Sequence, residues 1–301
     1  MSSAAPAPSP RPAIGLVIVA LAFFAALDTA TKMVSTLAPM IMAVWFRYMF
    51  QAVSTSVALL PRQGRALLRT RHPWLQALRG AMLVGCSAFA FLSVKHMQVG
   101  EFTAIVMLTP LLITLLAAHS LGERISAWRW GLVFGGFAGA LIIVRPGSEM
   151  LGVAALYPLG LVATNAAFQI LTARLTRTDS AGTMHFYTGW VGTIACGLFL
   201  PWHWQALSLQ AWLLLCLTGL LASAGHLLLI QGYRRAPAGT LTPFLYFQIA
   251  FATLAGWLVF QHAPDAATWL GMLIIAVCGV GGTFLSSRES GPSEEKNTAQ
   301  P

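Results

Sequence analysis

Apolar residues fill this chain in ten long runs, separated by short stretches of turn-forming and charged residues. The runs cover residues 13–34, 40–60, 74–94, 101–119, 127–144, 151–173, 183–201, 211–231, 239–261 and 267–286. Each approaches the roughly 20 apolar residues a helix needs to span a bilayer. The gaps carry breakers such as Pro61-Arg62-Gln63-Gly64-Arg65 and Arg145-Pro146-Gly147. The pattern therefore predicts an all-α integral membrane protein of ten transmembrane helices. The ends differ: residues 1–12 are rich in Pro, Ala and Ser, and residues 288–301 are polar, so both read as disordered tails. The first run is too long for a signal-peptide core and holds Asp28 and Lys32, so it reads as a mature helix.

The runs also repeat. The stretch from Val99 to Ala140 recurs in degenerate form from Ala238 to Val280, with Gly100 answered by Gly239, Thr114 by Thr253, Leu115 by Leu254, Gly131 by Gly271 and Gly139 by Gly279. Two five-helix repeats follow, residues 13–147 and 148–287. Internal repeats of this kind mark secondary transporters, whose binding site lies where the halves meet.

Composition and charge sharpen the picture. Hydrophobic residues make up 57% of the chain and charged residues 9%, against about 25% charged in a soluble domain. A net charge of +9 suggests nucleic acid until its placement is read. With both termini in the cytoplasm, Arg11, Arg62, Arg65, Arg69, Arg71, Arg79, Arg124, Arg129, Arg174, Arg177, Arg234, Arg235 and Arg288 fall at cytoplasmic ends and loops. Lys95 and Arg145 fall on the other side. The charge is thus an orientation signal, with a bilayer as partner and no nucleic acid. An odd number of helices per half means that the second repeat enters the membrane inverted. Cys86, Cys196, Cys216 and Cys278 all sit inside apolar runs and read as buried small hydrophobes.

Four motifs carry a family resemblance: Val44-Trp45-Phe46-Arg47-Tyr48, Thr103-Ala104-Ile105-Val106-Met107-Leu108-Thr109-Pro110-Leu111, Leu121-Gly122-Glu123-Arg124 and Val144-Arg145-Pro146-Gly147. With them the chain resembles the ten-helix EamA branch of the drug/metabolite transporter superfamily, over about residues 12–287. The second half departs from that pattern, with Gln261-His262 in place of Gly-Glu and Ile249 in place of Pro. The resemblance implies a carrier of amino acids or other small metabolites in a bacterial inner membrane, often working outward.

Ionisable groups inside a membrane helix cost at least about 2.5–3.5 kcal/mol on insertion scales, so each needs a reason. Asp28 and Lys32 lie four apart on one face of helix 1, where they can pair, unless Lys32 snorkels to the surface. Arg47 sits about two turns into helix 2. The repeat places Asn165 opposite Asp28 and Gln169 opposite Lys32. Asp28, Lys32 and Arg47 facing those amides can hold a zwitterion, or they can simply brace the fold. Trp45, Phe89, His185, Tyr187, Trp190, His226, Tyr246 and Gln248 complete the candidate substrate-binding set, because aromatic rings with polar handles suit brief binding. The alternatives are ordinary packing, or an interfacial belt for Trp128, Trp130, Trp202 and Trp204. Glu123 and Arg124 form a candidate gate. Gly131, Gly135 and Gly139 step along one helix face and permit close packing within or between protomers, so a homodimer is possible on this surface.

There is no P-loop, no H-E-x-x-H and no G-x-S-x-G in the chain, so an ATP-driven pump, a zinc protease and an acyl hydrolase find no support. The expectation is a non-enzymatic carrier without a cofactor or metal, exporting amino acids or similar metabolites by alternating access. The competing expectations are import of a larger metabolite such as a vitamin or nucleoside-like compound, and a non-catalytic membrane scaffold.

Overall fold

A computed structural model describes residues 10–96, 105–123, 125–144, 156–261 and 264–289. Every regular element among them is helical. Ten long helices follow in chain order: α1 Arg11–Val34, α2 Met40–Gln63, α3 Pro73–His96, α4 Thr109–Ser120, α5 Ala127–Val144, α6 Leu156–Leu175, α7 Ala181–Gly197, α8 Leu209–Tyr233, α9 Phe247–Phe260 and α10 Ala266–Glu289. They match the ten apolar runs in order. The uninterrupted apolar windows long enough to cross a membrane are those of α1, α6, α8 and the segment Ala238–Val259. Polar groups explain part of the rest, since α2 carries Arg47 and Gln51, and α3 carries Gln76 and Arg79.

Local chemistry sets several helix ends. Ser180 and Ser208 cap α7 and α8, their side chains accepting from the Thr183 and Ala211 amides. After α4 the chain turns at Gly122 with φ +66°, and after α9 it turns at Gln261 with φ 58°. These are equivalent positions of the two repeats, so both copies end this helix with the same left-handed residue. Gly122 meets that demand freely, whereas Gln261 carries a side chain into a region that costs about 1–2 kcal/mol. The prolines act differently. Pro243 falls in a 3-10 turn, Thr242–Tyr246, that joins the short helix Ala238–Leu241 to α9. Pro110 and Pro158 sit in the first turns of α4 and α6, where a missing N–H costs little and no kink is required.

The packing follows the repeat. α1 packs on α8 and α9, and the equivalent helices do the same in the other half, α6 on α3 and α4. α2 packs on α8, and α7 on α3. Two contacts pair a helix with its own counterpart, α2 with α7 and α5 with α10. Both are antiparallel. Along α2, Tyr48, Ala52 and Leu59 rise against Gly192, Gly189 and Gly182 of α7, and Gly135 and Gly139 of α5 meet Cys278 and Gly271 of α10 in reverse order. A two-fold that exchanges antiparallel partners must lie across the helix axes. The two halves are therefore inverted relative to each other.

The lateral surface is apolar, with Val57, Ile194, Leu213, Leu258, Val280 and Phe284 all exposed. A surface this apolar and extended belongs against another apolar phase. The most exposed tryptophans gather at two levels, Trp74 and Trp128 at the arginine-rich end and Trp202, Trp204 and Trp269 at the opposite end, the arrangement of interfacial belts. The outward apolar face also corrects one expectation. Cys86 and Cys196 are buried, but Cys216 is exposed and Cys278 half-buried, because an apolar side chain is as stable against lipid as against the core.

Candidate functional site

The arginine-rich end of the molecule is shut. Ala13, Ile14 and Val17 of α1, Ile113 and Ala117 of α4, Ala166 and Ile170 of α6, Leu229 and Tyr233 of α8, and Leu241 and Phe244 converge in one buried plug. Small residues let five elements meet there. Glu123, at the end of the α4 arm, ties the plug together: its carboxylate accepts from the Ala238 amide at 3.0 Å and the Gly239 amide at 2.7 Å. These amides open the ninth segment, so the carboxylate caps it electrostatically as well. Of the expected gate pair, Glu123 serves backbone amides with both oxygens, and Arg124 lies outside the described residues.

Asp28 of α1 is solvent-accessible and lies against Gln248 of the other half, so the gap between α1 and α9 onto which it opens is the candidate cleft. Its carboxylate accepts from the Gln248 side chain at 3.0 Å. Lys32, one turn on, is exposed in the last turn of α1. Arg47 lies close enough for its charge to act on both Asp28 and His226. The guanidinium donates to Ser87 Oγ at 2.6 Å and reaches Tyr48 Oη at 3.4 Å, lying 5.0 Å from the centre of the Tyr48 ring. Serine and tyrosine are neutral partners, so an anionic or carbonyl-bearing group in the cleft would meet a ready donor.

Aromatic faces stand beside this pair. His226 packs 4.9 Å from Phe24 and 6.2 Å from Phe168, and Phe89 lies against Gly160 of α6. Asn165 and Gln169 are joined to each other at 3.2 Å, and the Tyr233 hydroxyl donates to Gln169. The equivalent of the Asp28 and Lys32 pair is thus an amide ladder anchored to α8.

The other candidates fall elsewhere. His185 is buried and knots three helices, with Gln51 at 3.2 Å on Nδ1 and Ser223 at 2.9 Å on Nε2. Tyr246, with 0% exposure, fills the space over Gly136. Tyr187 donates to the Leu68 carbonyl at 3.0 Å, fixing the turn between α2 and α3. Trp190 is 38% exposed on the outer stripe with Ile194, donating to Ser56. Trp45 packs against Gly197. The structure brings Asp28, Arg47, His226 and Gln248 together and sets these five in the frame around them.

Arg79 departs furthest from its expected place among the loop charges. It is 1% exposed, held by Thr172 Oγ1 at 2.7 Å, the Met184 carbonyl at 3.0 Å and Thr188 Oγ1, and lies 4.8 Å from the Phe168 ring. It thereby fixes the ring that backs His226. Its four neighbouring arginines in sequence disguise it. The signal for it is the pair Thr172 and Thr188, polar positions inside otherwise apolar helices.

The comparisons agree with this architecture. The EamA-like transporter family matches residues 11–145 and 152–286. A riboflavin transporter of Rhizobium johnstonii is 31% identical over 79% of this chain and 78% of its own length. An S-adenosylmethionine uptake transporter of Rickettsia bellii is 26% identical over 87% of this chain and 90% of its own. The pseudopaline exporter CntI of Pseudomonas aeruginosa is 28% identical over 87% of this chain and 93% of its own. One solved structure superposes with a TM-score of 0.74 at 20% identity, covering 93% of this chain and 99% of that one. Two matched repeats, an inverted pair of five-helix halves and a multi-pass apolar exterior lead to one assignment: the chain belongs to the EamA-like transporter family.

Proposed function

We propose that this carrier moves a flat heteroaromatic metabolite of the riboflavin class, bound in the cleft between Asp28 and Arg47. The observation that carries the reading is the placement of an acceptor and a donor beside aromatic faces. Asp28 can accept from an imide N–H or a hydroxyl, Arg47 can donate to ring carbonyls, and Phe24 and His226 offer stacking surfaces, with buried Phe168 behind them. Riboflavin transport by the Rhizobium relative supports that class. Amino-acid export, the expectation from the sequence, would use Asp28 and Arg47 but leave the rings without work. The net direction follows from gradients. The arginine-rich end and both termini face the cytoplasm of a bacterial inner membrane, on the distribution of arginine.

Transport then proceeds by alternating access. The plug and the Glu123 carboxylate hold the arginine-rich end closed while the cleft is open on the other side. Rocking of the inverted halves exchanges the two. Glu123→Gln keeps the shape but puts a donor NH2 where one oxygen accepted, so one of the two amides loses its partner and the other keeps a neutral acceptor, at a cost of at least about 1.5–3 kcal/mol to the closed end. A cysteine introduced at Ala117, buried in the plug, is expected to resist an impermeant maleimide from that side in the parent and to react in the Glu123→Gln background. Equal protection in both would show that Glu123 does not hold the gate.

The test of cargo is counterflow in proteoliposomes, with labelled riboflavin outside and unlabelled riboflavin, an amino-acid mixture or S-adenosylmethionine inside. Riboflavin exchange is expected, reduced at least about tenfold by Arg47→Gln, since loss of a hydrogen bond from a charged donor is worth at least about 1.4 kcal/mol. Exchange driven by amino acids and not by riboflavin would return the assignment to amino-acid transport.

A further inference from the structure

A second pocket lies at the arginine-rich end, beyond the plug and apart from the cleft. It has a volume of about 330 Å³ and is framed by the ends of α4, α6 and α8 and the start of the ninth segment. Arg177, just past α6, and Arg234 and Arg235, just past α8, line it together with Glu123. All three arginines are exposed, and among the described residues no hydrogen bond or ion pair engages their guanidinium groups. Glu123 does not neutralise them, because both of its oxygens are held by the Ala238 and Gly239 amides. Three cations against one carboxylate leave the pocket at a formal +2.

We propose that this pocket binds a phosphate-bearing anion that bridges Arg177 on the α6 side to Arg234 and Arg235 on the α8 side. Guanidinium forks match phosphate oxygens two at a time. The volume lies at the lower end of the range for small-ligand sites, enough for a phosphate and a modest substituent. Basic pockets between helix ends at a membrane face take lipid headgroups by the same chemistry. A soluble phosphate ester and an anionic lipid are thus two sources of one ligand. Bridging would fasten α6 to α8 immediately outside the plug. The inference does not depend on what the cleft carries.

The experiment is calorimetric titration of the purified full chain in uncharged detergent with pyrophosphate, at constant ionic strength. Saturable binding is expected, weakened at least tenfold by Arg234→Gln/Arg235→Gln and also by Arg177→Gln alone. Arg62→Gln/Arg65→Gln, which removes two arginines of the same end that do not line the pocket, is expected to leave it unchanged. Non-saturable binding, or equal loss in that control, would reduce the effect to a general basic surface and overturn the site. No effect of Arg177→Gln would overturn the bridge. Repeating the titration in nanodiscs identifies the source. Competition by phosphatidylglycerol discs and not by phosphatidylcholine discs assigns the pocket to a lipid headgroup, and undiminished binding in both assigns it to a soluble ester. Thermal midpoints of all variants without ligand check that each is folded.

Discussion

Gly189→Val is expected to abolish the folded carrier, because the two halves meet there backbone to backbone. A Cβ at position 189 would lie 2.7 Å from the Ala52 nitrogen and 2.8 Å from its Cα. A flexible side chain could swing away from such a clash, but a helix backbone cannot. Gly192, three residues on, admits the Tyr48 ring at a distance that a Cβ would also forbid, 2.3 Å, so α7 has no room to slide. Overpacking of a well-filled interior costs about 1–3 kcal/mol where side chains can yield, and here the loss should reach at least the top of that range. The control is Gly256→Ala, whose Cβ would meet nothing within 4 Å. The fraction of monodisperse protein in detergent and its thermal midpoint decide the matter. A Gly189→Val protein as stable as Gly256→Ala would mean that α2 and α7 can separate without loss, and that the inverted halves are held elsewhere.

The same contact shows what a reader of the sequence can and cannot see. The ten runs and the repeat were legible, because length and periodicity are local properties. Inversion followed from counting helices and arginines, and α2 against α7 and α5 against α10 bear it out as antiparallel pairs. The glycine ladder of α5 was legible as a packing face at Gly135 and Gly139, while Gly131 meets nothing within 4 Å. Which polar side chain points inward was not legible. In a soluble helix an apolar stripe marks the interior, but here the outside is apolar too, so Trp190 and Cys216 look in the sequence like residues of the core. Partners distant along the chain were hidden as well. The Glu123 carboxylate finds amides 115 and 116 residues away, and a backbone amide leaves no mark on its own residue type. Arg79 was lost among the arginines around it, since charge counting treats a cation six residues into a helix as part of the loop.

Asp28 and Arg47 stand out in the sequence as ionisable groups inside apolar helices, and their test is the one with the most to say about transport. Asp28→Asn is expected to cut riboflavin exchange by roughly 10- to 150-fold while leaving the protein folded. The figure is the value of a hydrogen bond to a charged acceptor, about 1.5–3 kcal/mol, lost from the bound state. The fold is spared because the asparagine oxygen can still accept from Gln248, which now sits 3.0 Å from the carboxylate. The Arg47 guanidinium keeps Ser87 and Tyr48 whatever stands at position 28. Removing the negative charge also leaves Arg47 as the nearer, uncompensated field in the cleft. Cargo that donates a hydrogen bond to Asp28 should therefore lose affinity, whereas a simple carboxylate should bind as well as before or better. Counterflow with riboflavin, compared with a carboxylate anion as a second exchange partner, separates these effects. A parallel loss for both, with an unchanged thermal midpoint, would place Asp28 in the rocking motion and not in the cleft wall that meets the cargo.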